Sequence, residues 1–143
     1  VARLGVGEVD LSSELGVQLG PDEHELLWVR SQLVMYSAAA GLDAPVGPVW
    51  TDIEDLAGLR RSSEGLRRLG YVGRACIHPA QIPVVREVFT PSPAEIAQAE
   101  HLVERYDAAI AIGQGVIKDD RGAMVDEAVV RAARRTLAAI SRV

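Results

Sequence analysis

The fold class is set by residues 46–77, VGPVWTDIEDLAGLRRSSEGLRRLGYVGRACI. Two apolar runs in this stretch, Val46–Thr51 and Val72–Ile77, are predicted to be strands. Between them, leucines recur at helix-like spacing over Asp55–Leu69, and Gly70 follows as a stop signal. A strand–helix–strand order of this kind is typical of parallel strands joined by a crossover helix.

The same alternation extends towards the N-terminus. Residues 1–7 predict a short buried strand, and Pro21, followed by Asp22 and Glu23, predicts the start of a long helix that runs to about Ala40. The first half of the chain therefore alternates strand and helix, ending on a third strand. This α/β order fits either a doubly wound sheet or part of a barrel.

The last third of the chain has a different pattern, and we divide the chain into residues 1–89 and 90–143. The second part is predicted to be a mainly helical extension with one short hairpin. Its predicted elements are a break and helix start at Thr90–Pro93, a helix over Ala94–Gly113, short strands at Gly115–Lys118 and Met124–Val125, and a last helix from Glu127 to about Ser141.

Composition limits the classes of function. Apolar residues make up 48% of the 143 residues and charged residues 24%, as in globular proteins. A net charge of −5 without a basic block argues against nucleic acid as the main partner, and no apolar run is long enough to span a membrane. The single cysteine, Cys76, is expected to be a buried inert thiol and allows no intrachain disulfide, so we expect a cytoplasmic protein. The chain opens directly in a strand-like run, and we interpret it as a fragment of a longer protein.

Chemistry in parallel α/β folds is expected at the carboxyl ends of the strands. After the first predicted strand, Asp10 could bind a hard cation such as Mg²⁺, which prefers oxygen ligands. Asp10 could equally cap a short helix predicted over Leu11–Gly16. Glu8 is a second possible ligand or a solvated charge at the strand end.

The other two predicted strands also end in polar residues. Asp52, Glu54 and Asp55 could bind metal or orient a substrate, or they could be structural, with Asp55 as the N-cap of the next helix. His78, fixed by Pro79, could hydrogen-bond a ligand or transfer protons, or it could be structural.

Six segments, in order along the chain, resemble the citrate lyase β-subunit-like family. They are Leu4–Gly16, Leu26–Ser31, Val49–Leu59, Ile77–Ile82, Phe89–Ser92 and Gly122–Asp126. The resemblance implies the C-terminal part of a TIM (β/α)₈ barrel followed by a helical C-terminal lid. A whole barrel needs roughly 250 residues. The family's second metal-binding residue, a Glu, and its substrate-binding Arg therefore have no counterpart in this chain.

The resemblance assigns roles in the first part of the chain. It implies that Asp10 binds Mg²⁺ and that the backbone of Val9 contacts the substrate carboxylate. It also implies a coenzyme A site lined by Ile77, His78 and Pro79. The family usually has Glu directly before the metal-binding Asp, whereas Val9 separates Glu8 from Asp10 here.

The resemblance also assigns a role to Asp126. It implies that Asp126 is the catalytic acid–base, carried on a lid that reaches into a neighbouring subunit. The residue pattern alone favours a different role, the N-cap of the last helix.

The function implied is that of a Mg²⁺-dependent carbon–carbon lyase. Its substrate would be a hydroxyacyl-CoA thioester of the citryl-CoA, malyl-CoA or citramalyl-CoA type, cleaved to acetyl-CoA and a keto acid. The family resemblance also implies a homotrimer or a multiple of one. Three alternatives stay open: a malyl-CoA thioesterase of the same family, a non-catalytic assembly subunit of a lyase complex, which would cover exposed strand edges, and another pyruvate-type barrel aldolase.

Overall fold

A computed structural model describes residues 2–140 and divides the chain into two compact units, residues 1–89 and residues 90–143. Val1, in the first predicted strand, and Ser141, at the predicted end of the last helix, lie outside the described residues. The helices of the first unit are α1 (Glu8–Leu15), a 3₁₀ turn (His24–Leu26), α2 (Leu27–Ala39), α3 (Leu56–Leu69) and α4 (Gln81–Phe89). The elements of the second unit are α5 (Pro93–Ala111), β1 (Ile117–Lys118), β2 (Met124–Val125) and α6 (Glu127–Ile140).

The prediction of three regular strands in the first unit is wrong for the described residues. In place of strands, the described residues show two isolated parallel bridges here: Arg3 with Asp43, which precedes the second segment, and Gly47 with Arg74. The parallel direction is as expected, because Gly47 N donates to Gly73 O at 2.9 Å and Ala75 N donates to Gly47 O at 3.0 Å.

Residues in these segments, and Pro45 just before the second one, explain why the pairing is short. Pro45 has no N–H, so it accepts a hydrogen bond from Val72 N but cannot donate one to the ladder. In the first segment, Gly5 and Gly7 lack the side chains that stabilise a strand, and α1 has already begun at Glu8.

The helix starts also differ from the sequence pattern. α1 begins at Glu8 with Gly7 as its N-cap, so the alternative that Asp10 caps this helix is wrong. The long helix predicted from Pro21 becomes a turn, the 3₁₀ turn and then α2. Glu23, just before the 3₁₀ turn, has the left-handed backbone conformation, with φ of 53°.

α3 is as the leucine spacing predicted. Asp55 is its N-cap and accepts a hydrogen bond from Gly58 N at 2.8 Å, which confirms that prediction. The helix packs against α4. Leu59 and Leu66 of α3 are completely buried, and Val85 and Val88 of α4 are buried.

The second unit packs α5 against α6, with the β1–β2 hairpin between them in sequence. α5 begins with a capping box, in which the Ser92 hydroxyl accepts from Glu95 N and the Glu95 carboxylate accepts from Ser92 N. The core of this unit is Tyr106, Val125 and Val130. No helix within residues 2–140 is long and apolar enough to cross a membrane.

Candidate active site

Asp10 lies in the first turn of α1 and its side chain is exposed. Within residues 2–140 its carboxylate has no hydrogen bond or ion pair. A free carboxylate is a suitable single ligand for Mg²⁺, which takes one or two carboxylates and completes its shell with water and substrate oxygens. The described residues contain no cluster of three or more carboxylate, imidazole or thiol groups that could hold a metal by themselves. Asp10 therefore fits a shared metal site and not a self-contained one.

Glu8, by contrast, is buried and fully engaged. Arg30 donates from Nε to Glu8 Oε1 at 2.7 Å and from Nη2 to Glu8 Oε2 at 2.5 Å. The same guanidinium donates from Nη1 and Nη2 to the two carboxylate oxygens of Glu23, at 3.2 and 2.8 Å. Arg30 thus joins α1 to the loop before the 3₁₀ turn. Glu8 has no carboxylate oxygen left without a charged partner, so its alternative role as a metal ligand is disfavoured.

The network continues from Glu23 into α3 and the segment after it. Ser62 Oγ donates to Glu23, and Arg74 donates from Nη1 to Ser62 Oγ at 2.7 Å. Arg74 Nε also donates to Pro48 O at 2.9 Å, and its guanidinium lies 5.4 Å from the centre of the Trp50 ring, a cation–π contact. The two buried carboxylates are therefore balanced by two buried guanidinium groups.

The pKa values in this network follow from burial and charge. Burial raises the pKa of Glu23, but the hydrogen bonds from Arg30 and Ser62 and the charge of Arg30 outweigh it and hold that pKa below its ordinary 4.5. Burial lowers the pKa of Arg30, and the bonds and charges of Glu8 and Glu23 more than reverse it, so Arg30 stays charged. Burial, with the nearby charge of Glu8, raises the pKa of Tyr71 to about 12.

The turn Ile77–Pro79 lies just before α4, and all three side chains are exposed. Gln81, which is fully buried, holds this turn in place. Its Oε1 accepts from Ile77 N at 3.0 Å, and its Nε2 donates to Trp50 O at 2.9 Å. His78 Nδ1 accepts a hydrogen bond from Ala80 N at 3.2 Å, which leaves Nε2 to carry the proton of the neutral ring. The imidazole can therefore offer Nε2–H as a donor to a ligand.

The acidic turn after the second segment is structural. Asp52 Oδ1 accepts from Glu54 N and Asp55 N at 3.1 and 3.2 Å, and Asp55 caps α3. Two of the three acids thus serve the backbone of the turn and the helix start. Cys76 is half-buried and its Sγ donates weakly to Arg74 O at 3.8 Å, while burial raises the pKa of the thiol, so it is not an activated nucleophile.

Asp126 belongs to the second unit and is half-buried. Its Oδ1 accepts from Ala128 N at 2.9 Å and from Val129 N at 3.1 Å, at the start of α6. The N-cap role predicted from the residue pattern is therefore confirmed. The second oxygen, Oδ2, has no hydrogen bond within the described residues.

The site residues in the first unit form two separate groups. Val9, which is exposed, and Asp10 share the first turn of α1, whereas Ile77, His78 and Pro79 share the turn before α4. No hydrogen bond or ion pair joins the two groups within residues 2–140. Sequence reasoning did not find the residues that hold these groups, Glu23, Arg30, Ser62, Arg74 and Gln81. Three of these residues are charged and two are neutral and polar, and residues of these types are usually exposed. They can be buried here because each has a hydrogen-bond or ion-pair partner far away in the sequence.

Comparison with known proteins finds relatives that act on coenzyme A thioesters or are citrate lyase subunit beta-like proteins. No family model matches the chain. Mouse citramalyl-CoA lyase, a mitochondrial protein, is 34% identical over 128 residues, which are 90% of this chain and 37% of the relative. A citrate lyase subunit beta-like protein of Deinococcus radiodurans is 36% identical over 137 residues, 96% of this chain and 48% of the relative. A (3S)-malyl-CoA thioesterase of Cereibacter sphaeroides is 36% identical over 133 residues, 93% of this chain and 46% of the relative.

A solved structure is also similar to this chain over part of its length. The CitE protein of Mycobacterium tuberculosis, in complex with magnesium, acetoacetate and coenzyme A, superposes with a TM-score of 0.76 at 29% identity. The match covers 93% of this chain and 49% of that protein. The chain thus spans less than half the length of each of these relatives, and its fold is that of part of the CitE protein.

Proposed function

Because the chain belongs to the citrate lyase β-subunit-like family, we propose that it is part of a Mg²⁺-dependent carbon–carbon lyase. The substrate is a hydroxyacyl-CoA thioester of the citryl-CoA, malyl-CoA or citramalyl-CoA type, and the products are acetyl-CoA and a keto acid. In this proposal the chain forms the last βα units of a TIM (β/α)₈ barrel, residues 1–89, and a C-terminal lid, residues 90–143. The remainder of the protein supplies the second carboxylate ligand and the substrate arginine.

The observation that carries the proposal is the contrast between two acids of α1. Glu8 is buried against Arg30, whereas Asp10 is exposed and without a partner in the described residues. An exposed carboxylate without an ion-pair partner has both oxygens available to a hard cation such as Mg²⁺. The relatives support the choice of ligand, since the CitE protein was solved with magnesium and coenzyme A.

The proposed chemistry gives each residue of the chain a task. Asp10 holds Mg²⁺, whose contribution when bound is to stabilise the negative charge on the substrate's oxygens. Val9 offers its backbone to the substrate carboxylate, and Ile77, His78 and Pro79 contact coenzyme A.

Asp126 is the proposed acid–base. Its carboxylate takes the proton of the substrate's hydroxyl, which becomes a carbonyl as the carbon–carbon bond breaks. The electrons of that bond move onto the carbon next to the thioester, and the resulting enolate takes up a proton to give acetyl-CoA. A positioned general base of this kind contributes about 10²–10⁴-fold to a rate. Its unbonded Oδ2 is the atom proposed to carry the proton.

The test begins with the intact mass of the native protein, since the match covers only 37%, 48% and 46% of the length of the three relatives. Release of acetyl-CoA from citramalyl-CoA, malyl-CoA and citryl-CoA is then measured with and without Mg²⁺. Asp10→Ala should abolish Mg²⁺-dependent cleavage, whereas Glu14→Ala, an exposed acid of the same helix, should leave it intact. Failure of the native protein to cleave any thioester would leave a non-catalytic assembly subunit as the better account.

The relative from Cereibacter sphaeroides favours a second candidate, hydrolysis of malyl-CoA. The two reactions differ in their products, because hydrolysis releases free coenzyme A and malate while the lyase releases acetyl-CoA and glyoxylate. A thiol reagent that detects free coenzyme A therefore separates them. Free thiol without acetyl-CoA would identify the protein as a thioesterase.

We further propose that the protein is a homo-oligomer, a trimer or a multiple of one. Three large apolar side chains of α2 support this: Trp28, Met35 and Tyr36 are 72%, 60% and 61% exposed and lie on one face of the helix. Clustered exposed apolar groups mark interfaces more often than free surface. Light scattering on the native protein and on Trp28→Glu tests the proposal, which predicts a smaller assembly for the variant.

A further inference from the structure

α1 is attached to the first unit in an unusual way. A surface helix is normally oriented by an apolar stripe that it buries. Of the eight residues of α1, only Glu8 is buried, while Val9 and Leu15 are 55% and 61% exposed. Leu11 and Ser12 are half-buried, so the most deeply buried contact of this helix is the Glu8 carboxylate with its partner, Arg30.

The guanidinium group of Arg30 holds the Glu8 carboxylate in one position. Its planar guanidinium binds Glu8 through two parallel bonds on one edge and reaches Glu23 through two more. A two-bond fork fixes the orientation of both groups, which a single contact does not. Glu23 is itself held in place by Ser62, so the fork is fixed to α3.

The backbone of Glu23 is a second, independent observation. Its φ of 53° makes it the one residue other than glycine with positive φ in the described part of the chain. Such conformations are unfavourable for residues with a side chain and persist where the surroundings enforce them, often at functional sites. Here the residue in that conformation is the one whose carboxylate accepts two hydrogen bonds from Arg30.

The contacts of Arg30 with Glu8 and Glu23 are called the clamp below. The geometry of a helix relates this clamp to Asp10, the proposed metal ligand. Successive residues are rotated by about 100° around the axis, so residues two apart point in roughly opposite directions. With Glu8 fixed inward on Arg30, Asp10 is directed outward, as its exposure shows. Rotation of α1 would change both directions together.

We infer that Arg30 is a positioning residue, which sets the orientation of α1 by clamping Glu8 and so presents Asp10 to the metal. The inference rests on the proposed function for the identity of the ligand. Lysine at this position keeps the charge but offers a single ammonium in place of the fork. Arg30→Lys therefore separates the effect of the fork from that of the charge.

The experiment uses the full-length native protein and four variants. Arg30→Lys and Arg30→Met remove the fork. Arg60→Lys is the matched control, because Arg60 makes a similar two-bond pair with Glu87 at the surface, at 3.0 and 2.5 Å. Leu59→Val is a second control, which loosens the buried core without touching the clamp. The readouts are Mn²⁺ binding by electron paramagnetic resonance, amide hydrogen exchange across α1, melting temperature, and kcat and KM.

We expect Arg30→Lys to weaken Mn²⁺ binding by about 10–100-fold, the usual effect of removing a group that orients a metal ligand. Hydrogen exchange in α1 should accelerate, starting with Leu11 N, which donates to Gly7 O. The half-saturating Mg²⁺ concentration should rise, while KM for the thioester at saturating Mg²⁺ should change little. Both controls should match the wild-type protein in Mn²⁺ affinity and in the exchange of α1. Arg30→Met should show the same changes in stronger form, and if it does not fold, Arg30→Lys alone decides.

Two results would overturn the inference. One is an Arg30→Lys protein that melts at lower temperature yet binds Mn²⁺ and exchanges α1 like the wild type, since Arg30 would then serve stability alone. The other is the same loss of Mn²⁺ affinity in Leu59→Val, which would make it a general effect of destabilisation. Failure of the proposed function is a separate observation: the wild-type protein itself would bind no Mn²⁺ and cleave no thioester.

Discussion

Replacing Gln81 by methionine tests how the turn Ile77–Pro79 is held. Methionine has nearly the same length and volume, so the fully buried site stays filled, but both hydrogen bonds of the amide are lost. A typical hydrogen bond contributes about 0.5–1.5 kcal/mol net to stability. Two bonds give an upper range of about 1–3 kcal/mol.

The surroundings narrow that range. Ile77 is 55% exposed, so water can replace the lost partner of its N–H. Trp50 is half-buried, and its carbonyl is harder to reach. We therefore expect the free energy of unfolding to fall by about 1–2 kcal/mol. If all of this loss came from loosening the turn, KM for the thioester would rise by at most about 5–30-fold, with kcat less affected.

The assay combines urea unfolding of the full-length protein with steady-state kinetics. Gln98→Met, the same chemical change at an exposed position of α5, is the control and should leave both quantities unchanged. If Gln81→Met kept the wild-type unfolding free energy and the wild-type KM, the two hydrogen bonds would not be what holds the turn, and the reasoning would be refuted.

Three further predictions follow from the contacts. Glu23→Gln should lower the unfolding free energy by about 2 kcal/mol at pH 7, since bonds to a charged group contribute about 1.5–3 kcal/mol. Because the pKa of Glu23 is held below 4.5, this contribution is present above pH 4.5 and is lost as the carboxylate is protonated. The difference in melting temperature between the two proteins should therefore shrink as pH falls below 4.5, and a constant difference would contradict the prediction. Gly58→Ala should lower the free energy of unfolding in urea by about 1–3 kcal/mol, because the added methyl group would collide with the capping Asp55 and come within 2.6 Å of the Trp50 ring. In the control, Gly65→Ala on the same helix, the methyl group meets only Arg68 at 3.9 Å and should stabilise the protein slightly. Equal effects of the two substitutions would refute the argument. Asp126→Asn should keep the melting temperature, because asparagine also caps helices, yet lower kcat by about 10²–10⁴-fold, and an unchanged kcat would show that Asp126 is a cap alone.

Local signals in the sequence predicted most of the helices. The leucine spacing of α3, its cap Asp55 and the helix start after Thr90–Pro93 all depend on residues within a turn of one another, and the structure confirms them. The short hairpin strands predicted in the second unit are confirmed. The three strands predicted in the first unit were wrong, because a run of apolar residues does not reveal its partner. Pro45 limits the donors of the ladder, and the pairing that remains, beside Gly47, is too short to form a regular strand.

The buried network could not be predicted from local signals. Arg30 is 22 residues from Glu8, and Ser62 is 39 residues from Glu23. Each of these residues is of a type that is usually exposed, and only the fold brings the opposite charges together. A single sequence contains no periodicity that marks such a contact.

The secondary structure of one short segment decides how its two acids are interpreted. On a strand, residues two apart face the same side, so Glu8 and Asp10 at a strand end would both be candidates for one metal site. On a helix they point roughly 200° apart, and one can be buried while the other is free. Because α1 begins at Glu8 and not at Leu11, the structure separates the pair: Glu8 is bound to Arg30, and Asp10 is exposed and has no ion-pair partner in the described residues. The helix start therefore supports Asp10 over Glu8, the choice that the family resemblance also makes.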